Sequence, residues 1–283
     1  MRQFRVGLSH LHVRLAAFCL LFCLGGARLS AADFEYEQPF SLKPVNEGIQ
    51  LGVGAALFGS ALVCDKFLHI KKNDWKASDW PKENVPGMDR PFMRPYSKPL
   101  HIVGTGTMGL AMLTPAVFAI MPSNEWLTIG TMYVETMLIA NGIKEWTKLL
   151  VYRARPYMYF DDYPQDKVDE GDWNCSFPSG HTTLAFAGAA FTTFVFCQCF
   201  PDSKWKYAVA GGAFGLAAAT GALRMASGNH FLSDVLVGAV IGTACGFAIP
   251  YLHSKSFYGN FEKKSGSANA SVSPAGFCLA YNF

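Results

Sequence analysis

The chain has 283 residues, 51% of them hydrophobic and 16% charged, with a formal net charge of +3. Soluble domains carry roughly 25% charged residues, so this composition and a mean hydropathy of +0.17 point to a membrane or unusually apolar protein. A positive balance this small and this scattered gives no argument for nucleic acid as a partner, and there is no zinc-type cysteine spacing, low-complexity block or internal repeat.

Residues 1–32 are a predicted targeting segment. Arg2, Arg5 and Arg14 lead into LAAFCLLFCLGGA, and LSAAD supplies a small-residue cleavage site near Ala31 or Ala32. Left uncleaved, the same stretch would be a membrane anchor. Cys23 follows Leu-Leu-Phe and makes a poor lipoprotein site, because small residues should precede such a cysteine. In either form the N terminus is aimed at a bacterial-type export system.

Residues 33–100 form an N-terminal region with one apolar run, IQLGVGAALFGSALVC, from Ile49 to Cys64. Its sixteen residues would make about 24 Å of helix, short of a hydrocarbon core of about 30 Å. A half-inserted or buried helix is therefore expected. A loop from Asp65 to about Leu100 follows, in which Trp75 and Trp80 suit a membrane interface.

Longer apolar segments run over 101–121, 126–143, 182–200, 207–223 and 231–252. They are rich in Gly and Ala, as in AVAGGAFGLAAATGA, which permits close helix packing in lipid. No strand-like alternation competes with them. The predicted fold is all-α: a polytopic membrane helical bundle of about five or six helices, its core at 101–252. Residues 253–283 are predicted as a flexible tail, although SVSPAGFCLAYNF alternates enough for a short strand. The eight cysteines make no disulfide framework. Cys64, Cys197, Cys199 and Cys245 lie in apolar runs, where cysteine behaves as a small hydrophobe, and nothing pairs Cys175 with Cys278.

Three stretches carry chemistry. In LRMASGNHFLSD, His230 and Asp234 stand four apart, so on a helix they share a face. An acid there can hold one imidazole nitrogen and leave the other free. Of the seven histidines, His230 alone has an acid four residues later. In KLLVYRARP, Lys148 and Arg155 stand seven apart, two helical turns, with Pro156 ending the helix. Two cations on one face of a helix end suit a dianionic oxyanion. Arg90-Pro91 and Arg94-Pro95 act as internal controls, because Glu83 and Gly87, not lysine, lie seven residues before them. In CSFPSGHTTLAF, Pro178, Ser179 and Gly180 form a turn and His181 opens an apolar helix. Backbone N–H groups at such a start cradle anions, and His181 is placed to donate a proton to a departing oxygen. Taken singly, these are also a helix ion pair, a basic membrane-boundary cluster and a serine N-cap.

Together, and in this order, Lys148 to Pro156, Pro178 to His181 and Arg224 to Asp234 resemble the signature of the phosphatidic acid phosphatase type 2 family, in the PAP2 and vanadium haloperoxidase superfamily. The resemblance covers about residues 100 to 252. Leu223 departs from it, standing where the family has a serine. The resemblance implies a phosphatase with its site at one membrane face. His230 would attack phosphorus and form a phosphohistidine. Asp234 would orient His230, and His181 would protonate the leaving oxygen. Lys148, Arg155 and Arg224, with Ser179 and Gly180, would bind the phosphate oxygens. Neither metal nor cofactor is implied, three cations taking the role of magnesium.

The implied partners are a membrane lipid phosphate and the bilayer. The implied location is a bacterial inner membrane, with the site facing the periplasm if segment 49–64 does not cross. Between Pro156 and Pro178 lie six acids and one lysine, read as a solvated loop or as a lid that repels misplaced anions or binds a cation. The rival readings are a soluble periplasmic acid phosphatase, a vanadate-dependent haloperoxidase and a non-catalytic lipid-phosphate binder or transporter. The acid-phosphatase reading expects amphipathic helices, and TTLAFAGAAFTTFVFCQCF has no polar stripe.

Overall fold

The computed structural model describes residues 36–67, 82–258, 268–273 and 276–281. The predicted leader, Trp75 and Trp80 lie outside the described residues. Among the described residues, six long helices make the bundle: α1 Pro44–Lys66, α2 Lys98–Met112, α3 Ser123–Leu150, α5 Gly180–Cys199, α6 Trp205–Ala226 and α7 Leu232–Leu252. A short helix, α4, spans Gln165–Asp169, and a 3-10 stretch at Thr114–Ile120 prolongs α2. Five of the long helices are apolar and long enough to cross a membrane; α3 is the sixth and carries Glu125, Glu135, Lys144, Glu145 and Lys148. The protein is an all-α membrane bundle.

α1 is longer than the apolar run 49–64 that marks it in the sequence. It has 23 residues, about 35 Å of helix, enough to span. The apolar run misses its ends because Pro44, Asn46, Glu47 and Gly48, like Asp65 and Lys66, are polar or helix-breaking in isolation, yet proline suits a first turn. The apolar window of α1 is only 11% buried, so most of its side chains face outward, as in lipid. The predicted tail also differs: β1 Ala268–Ser273 and β2 Gly276–Tyr281 pair antiparallel.

Glycine sets the close packing. Gly238, Gly242 and Gly246 lie four apart on one face of α7 and let it run against α5. A Cβ would stand 2.7 Å from Ser179 O at Gly238 and 2.6 Å from Ala187 O at Gly246. This is small-residue packing of the kind that lets helices associate in lipid, and it aligns the starts of α5 and α7. The bond from Ser179 N to Asp234 O, 3.0 Å, ties those starts together.

The direction of each helix follows from its contacts. Gly54 meets Leu138, Gly142 meets Leu57 and Trp146 donates to Ser60, so α1 and α3 run parallel. Lys148, near the end of α3, reaches Gly180 at the start of α5. Gly104, near the start of α2, packs on Leu223 and Arg224, near the end of α6. One end of the bundle thus gathers all three motif stretches, beneath loops 82–97 and 151–179. The opposite end holds residues 36–43 and the end of α7: Phe40 bridges Ser254, Glu37 N donates to Cys199 O, and Ser41 N donates to His253 O.

Candidate active site

His230 is 1% exposed and sits in the connection between α6 and α7. That connection turns sharply at Gly228, whose φ is +72° and whose Cβ would stand 2.5 Å from Arg94 O. Only glycine fits there. His230 Nδ1 lies 2.7 Å from the Ser176 carbonyl oxygen. A carbonyl only accepts, so Nδ1 carries the proton and Nε2 keeps its lone pair. Nε2 points at Arg155 Nη1, 3.1 Å away. Burial, then the positive charges of Arg155, Arg224 and Lys148, hold the His230 pKa well below the usual histidine value. The result is a buried, neutral imidazole whose free nitrogen faces cations.

Asp234 does not make the direct hydrogen bond to His230 that its spacing predicts. The two side chains approach to 3.7 Å between Oδ2 and Nδ1, too far for such a bond. The reason is local: α7 begins at Leu232, so His230 precedes the helix and the one-turn relation does not apply. Asp234 turns back to accept from Phe231 N at 2.8 Å and from Ser176 Oγ at 2.5 Å. Ser176 therefore joins the two, its hydroxyl on Asp234 and its carbonyl on the imidazole.

Behind Asp234 stands a pair absent from the sequence expectations. Arg153 Nη1 donates to Asp234 Oδ1 at 2.5 Å, and Arg153 Nη2 donates to Asp89 Oδ2 at 2.7 Å. Asp89, fully buried, also accepts from Ser233 N at 2.8 Å and Ser233 Oγ at 2.7 Å. The Arg153 guanidinium covers the Phe231 ring, 4.1 Å from its centroid. The available signals were Arg-x-Arg at 153–155 and the acid immediately before Arg90-Pro91.

The cations arrive by a different route from the one predicted. α3 ends at Leu150, so Arg155 is not on a helix face shared with Lys148. Residues 153–155 are instead extended and pair with 173–176, through Arg153 N to Asn174 O and Arg155 N to Trp173 O. Arg155 is clamped from both sides. Asp172 accepts two bonds of 2.8 Å from Nη2, and Asn229 O accepts from Nη1 at 3.0 Å. Burial works against charge on Arg155, but Asp172 outweighs it and raises the arginine pKa above its ordinary value. In return, Arg155 and Lys148 overcome the effect of burial on Asp172 and hold its carboxyl well below the usual range. One acid of the 157–177 loop is thus a fixed part of the site, whereas Asp161 and Asp162 are exposed.

Lys148 Nζ comes within 3.5 Å of the place a Gly180 Cβ would occupy, and Lys144 lies beside it. A side chain at residue 180 would collide with Lys144 Cδ at 2.9 Å. Glycine here lets both lysines close on the N terminus of α5, where the helix supplies no acceptor for its first N–H groups. Ser179 is the N-cap of that helix, and its hydroxyl is engaged with Thr182. Arg224 is 2% exposed, with Nη1 3.1 Å from His101 Nδ1 and Nε without an acceptor. The His101 ring lies against that of His181, centroids 6.2 Å apart, and His181 Nε2 is 3.1 Å from Thr105 Oγ1. Leu223 packs on Gly104 of α2. His101, Lys144 and Thr105 were not foreseen, because their own segments carry no motif.

The arrangement combines a nucleophilic nitrogen, several cations, a helix N terminus and a second histidine at that terminus. It suits transfer of a phosphoryl-type anion to His230.

Residues 129–258 match the PAP2 superfamily. A 71-residue stretch is 42% identical to the Lipid A 1-phosphatase of Porphyromonas gingivalis, covering 25% of this chain and 15% of that protein. The chain therefore spans only a small part of that relative's length. The crystal structure of a transmembrane PAP2 type phosphatidylglycerolphosphate phosphatase from Bacillus subtilis aligns over 90% of this chain and 96% of its own, at 19% identity and a TM-score of 0.35. The residues matched to the PAP2 superfamily, 129–258, contain His230, His181, Arg155 and Arg224, so the likeness covers the site.

Proposed function

We propose that the protein is a metal-independent phosphatase of a membrane lipid, acting through a phosphohistidine on His230. The observation that carries this reading is the His230 Nε2 lone pair, 3.1 Å from Arg155 Nη1 and fixed from behind by Ser176 O. A phosphate oxygen replaces Nε2 as the acceptor of Arg155, and its other oxygens meet Arg224, Lys148 and the first N–H groups of α5. Nε2 attacks phosphorus, the bond from phosphorus to the lipid oxygen breaks, and His181 supplies the proton that this oxygen takes up. The phosphorylated imidazole gains positive charge, which Ser176 O and the nearby Asp234 carboxylate stabilise. Water then attacks the phosphohistidine, His181 accepts its proton, and inorganic phosphate leaves. Ser179 contributes by capping α5, and Gly180 by letting the lysines approach.

A site at the end of a lipid-facing bundle favours a substrate with an apolar tail. The candidates are a lipid A phosphate, phosphatidylglycerophosphate, phosphatidate and an isoprenyl diphosphate. The 71-residue likeness supports putting lipid A phosphate first. In a bacterial inner membrane, the orientation is tied to the leader. Residues 36–43 and the site lie at opposite ends of the bundle, and α1 is long enough to cross. Cleavage of a translocated leader near Ala31 thus entails a site facing the cytoplasm. A periplasmic site entails residues 36–43 in the cytoplasm. The two expectations, cleaved leader and outward site, exclude each other.

The test is phosphate release by the detergent-purified protein in EDTA, over those four lipids and one water-soluble ester, beside His230→Ala. Release that prefers one lipid and vanishes in the variant supports the reading and names the substrate. Equal release from the soluble ester favours a non-specific acid phosphatase. A retained lipid with no release favours a binder.

A further inference from the structure

At the other end of the bundle, three ligating side chains from three helices meet. His253 follows the last turn of α7, Glu47 lies in the first turn of α1 and Glu135 is mid-way along α3. Glu47 Oε2 and Glu135 Oε2 each lie 3.0 Å from His253 Nε2, and all three ligating atoms fall within 4.8 Å of one another. His253 and Glu135 are fully buried. We infer that Glu47, Glu135 and His253 form a structural site for a divalent cation of the zinc or manganese type, clamping α1, α3 and α7 together away from the catalytic pocket.

Three observations carry this. The first is the tautomer. His253 Nδ1 lies 2.8 Å from Ile249 O, so Nδ1 donates there and Nε2 presents a lone pair to the two carboxylates. That backbone bond is the support a metal-bound histidine ordinarily has, whereas a lone pair facing two ionised carboxylates is repulsive without a cation. The second is the lack of donors. Neither oxygen of Glu135 receives a hydrogen bond, although the residue is fully buried. Protonating His253 would give one N–H for two carboxylates and leave Glu135 Oε1 unmet. A divalent ion balances both charges at once, removing the cost of one fully buried and one partly buried carboxylate.

The third is spacing and surroundings. Nitrogen and oxygen ligands sit about 2.0–2.2 Å from zinc, which puts neighbouring ligand atoms roughly 3.3 Å apart around a tetrahedral ion, near the 3.0 Å found here. Gln50 Oε1 is buried without a donor, and its Nε2 lies 3.5 Å from His253 Nε2. Turning that amide over offers its oxygen as a fourth ligand. Glu47 Oε1 is steadied by Lys43 N at 3.1 Å. One imidazole with two carboxylates selects zinc or manganese over calcium or magnesium, which prefer oxygen alone.

The site serves the fold and does not depend on the phosphatase reading. Tag-free protein, purified in detergent, is equilibrated with Zn2+ or Mn2+, desalted and assayed for bound metal by mass spectrometry. Wild-type protein is expected to hold one ion per chain, and Glu135→Gln and His253→Gln none. Cobalt(II) in its place is expected to give a visible absorption band that His253→Gln abolishes. Chelation of the wild type is expected to lower its melting temperature, which decides the matter if the variants do not fold. Wild-type protein that holds no ion, or variants that keep one, would overturn the inference and leave a cluster sharing protons.

Discussion

Asp89→Asn isolates the unforeseen network behind His230. Asp89 Oδ2 receives Arg153 Nη2 at 2.7 Å and Ser233 Oγ at 2.7 Å, while Oδ1 receives Ser233 N at 2.8 Å. Asparagine keeps the shape and one acceptor, so the bond to Ser233 N survives. Its amide faces Arg153 with donor against donor. A charge-assisted hydrogen bond contributes about 1.5–3 kcal/mol, and breaking a buried pair costs about 3–5 kcal/mol. Arg153 is 17% exposed and keeps Asp234, so the lower range applies, about 2–3 kcal/mol of stability. The effect on turnover comes through Arg153, whose guanidinium then keeps only Asp234 Oδ1, Ser233 Oγ and the face of Phe231. Misplacing the imidazole by about 1 Å costs on the order of a hundredfold, so kcat should fall about 10–100-fold, with KM nearly unchanged because Asp89 touches no substrate. Thermal unfolding and steady-state phosphate release measure both. Lost stability with wild-type kcat would refute the positioning role, leaving Asp89 as a support of the fold alone.

Three further outcomes are expected. His181→Ala should lower turnover of a lipid ester by about 10²–10⁴-fold, the usual weight of a general acid, yet spare the first step with a nitrophenyl ester, whose leaving oxygen needs no proton; equal losses on both would contradict the assignment. In pH profiles, His230 should impose no acid limb near 6.5, the ordinary histidine value, because its pKa is held well below it. Since the folded pKa is the lower one, the unfolded chain takes up the proton first, so stability is full above pH 6.5 and falls as pH drops beneath it; Asp172, also depressed, adds a loss in the same direction below about pH 4. Finally, N-terminal sequencing and membrane-impermeant labelling of a cysteine placed at Asp161 should agree. Cleavage near Ala31 goes with a cytoplasmic, unlabelled site, and a cleaved chain labelled from outside would refute the parallel course of α1 and α3.

Which residues gather at one end was more legible than the geometry that gathers them. His230, Arg155, Arg224, Lys148 and Gly180 were picked out by residue type and spacing, and the fold brings them to one end of the bundle. Helical periodicity misled where a motif runs past a helix end. Lys148 and Arg155 were expected on one helix face, but α3 stops at Leu150. His230 and Asp234 were expected one turn apart, but α7 starts only at Leu232. Asp89 and Arg153 stayed hidden because their pairing joins residues 64 apart through a loop, and sequence spacing carries no information on such closures. The length of α1 was underestimated for a simpler reason. Apolar runs mark the part of a helix in hydrocarbon, while its polar ends also count toward its span.

The most direct test of the central claim is to trap the intermediate. Purified protein is mixed briefly with a ³²P-labelled lipid phosphate, quenched, and the label mapped by mass spectrometry. An acid-labile, base-stable phosphoryl group on His230 Nε2, absent from His230→Ala and longer-lived in His181→Ala, is the predicted result. Phosphate release with no label on His230, or label that persists in His230→Ala, would contradict the account.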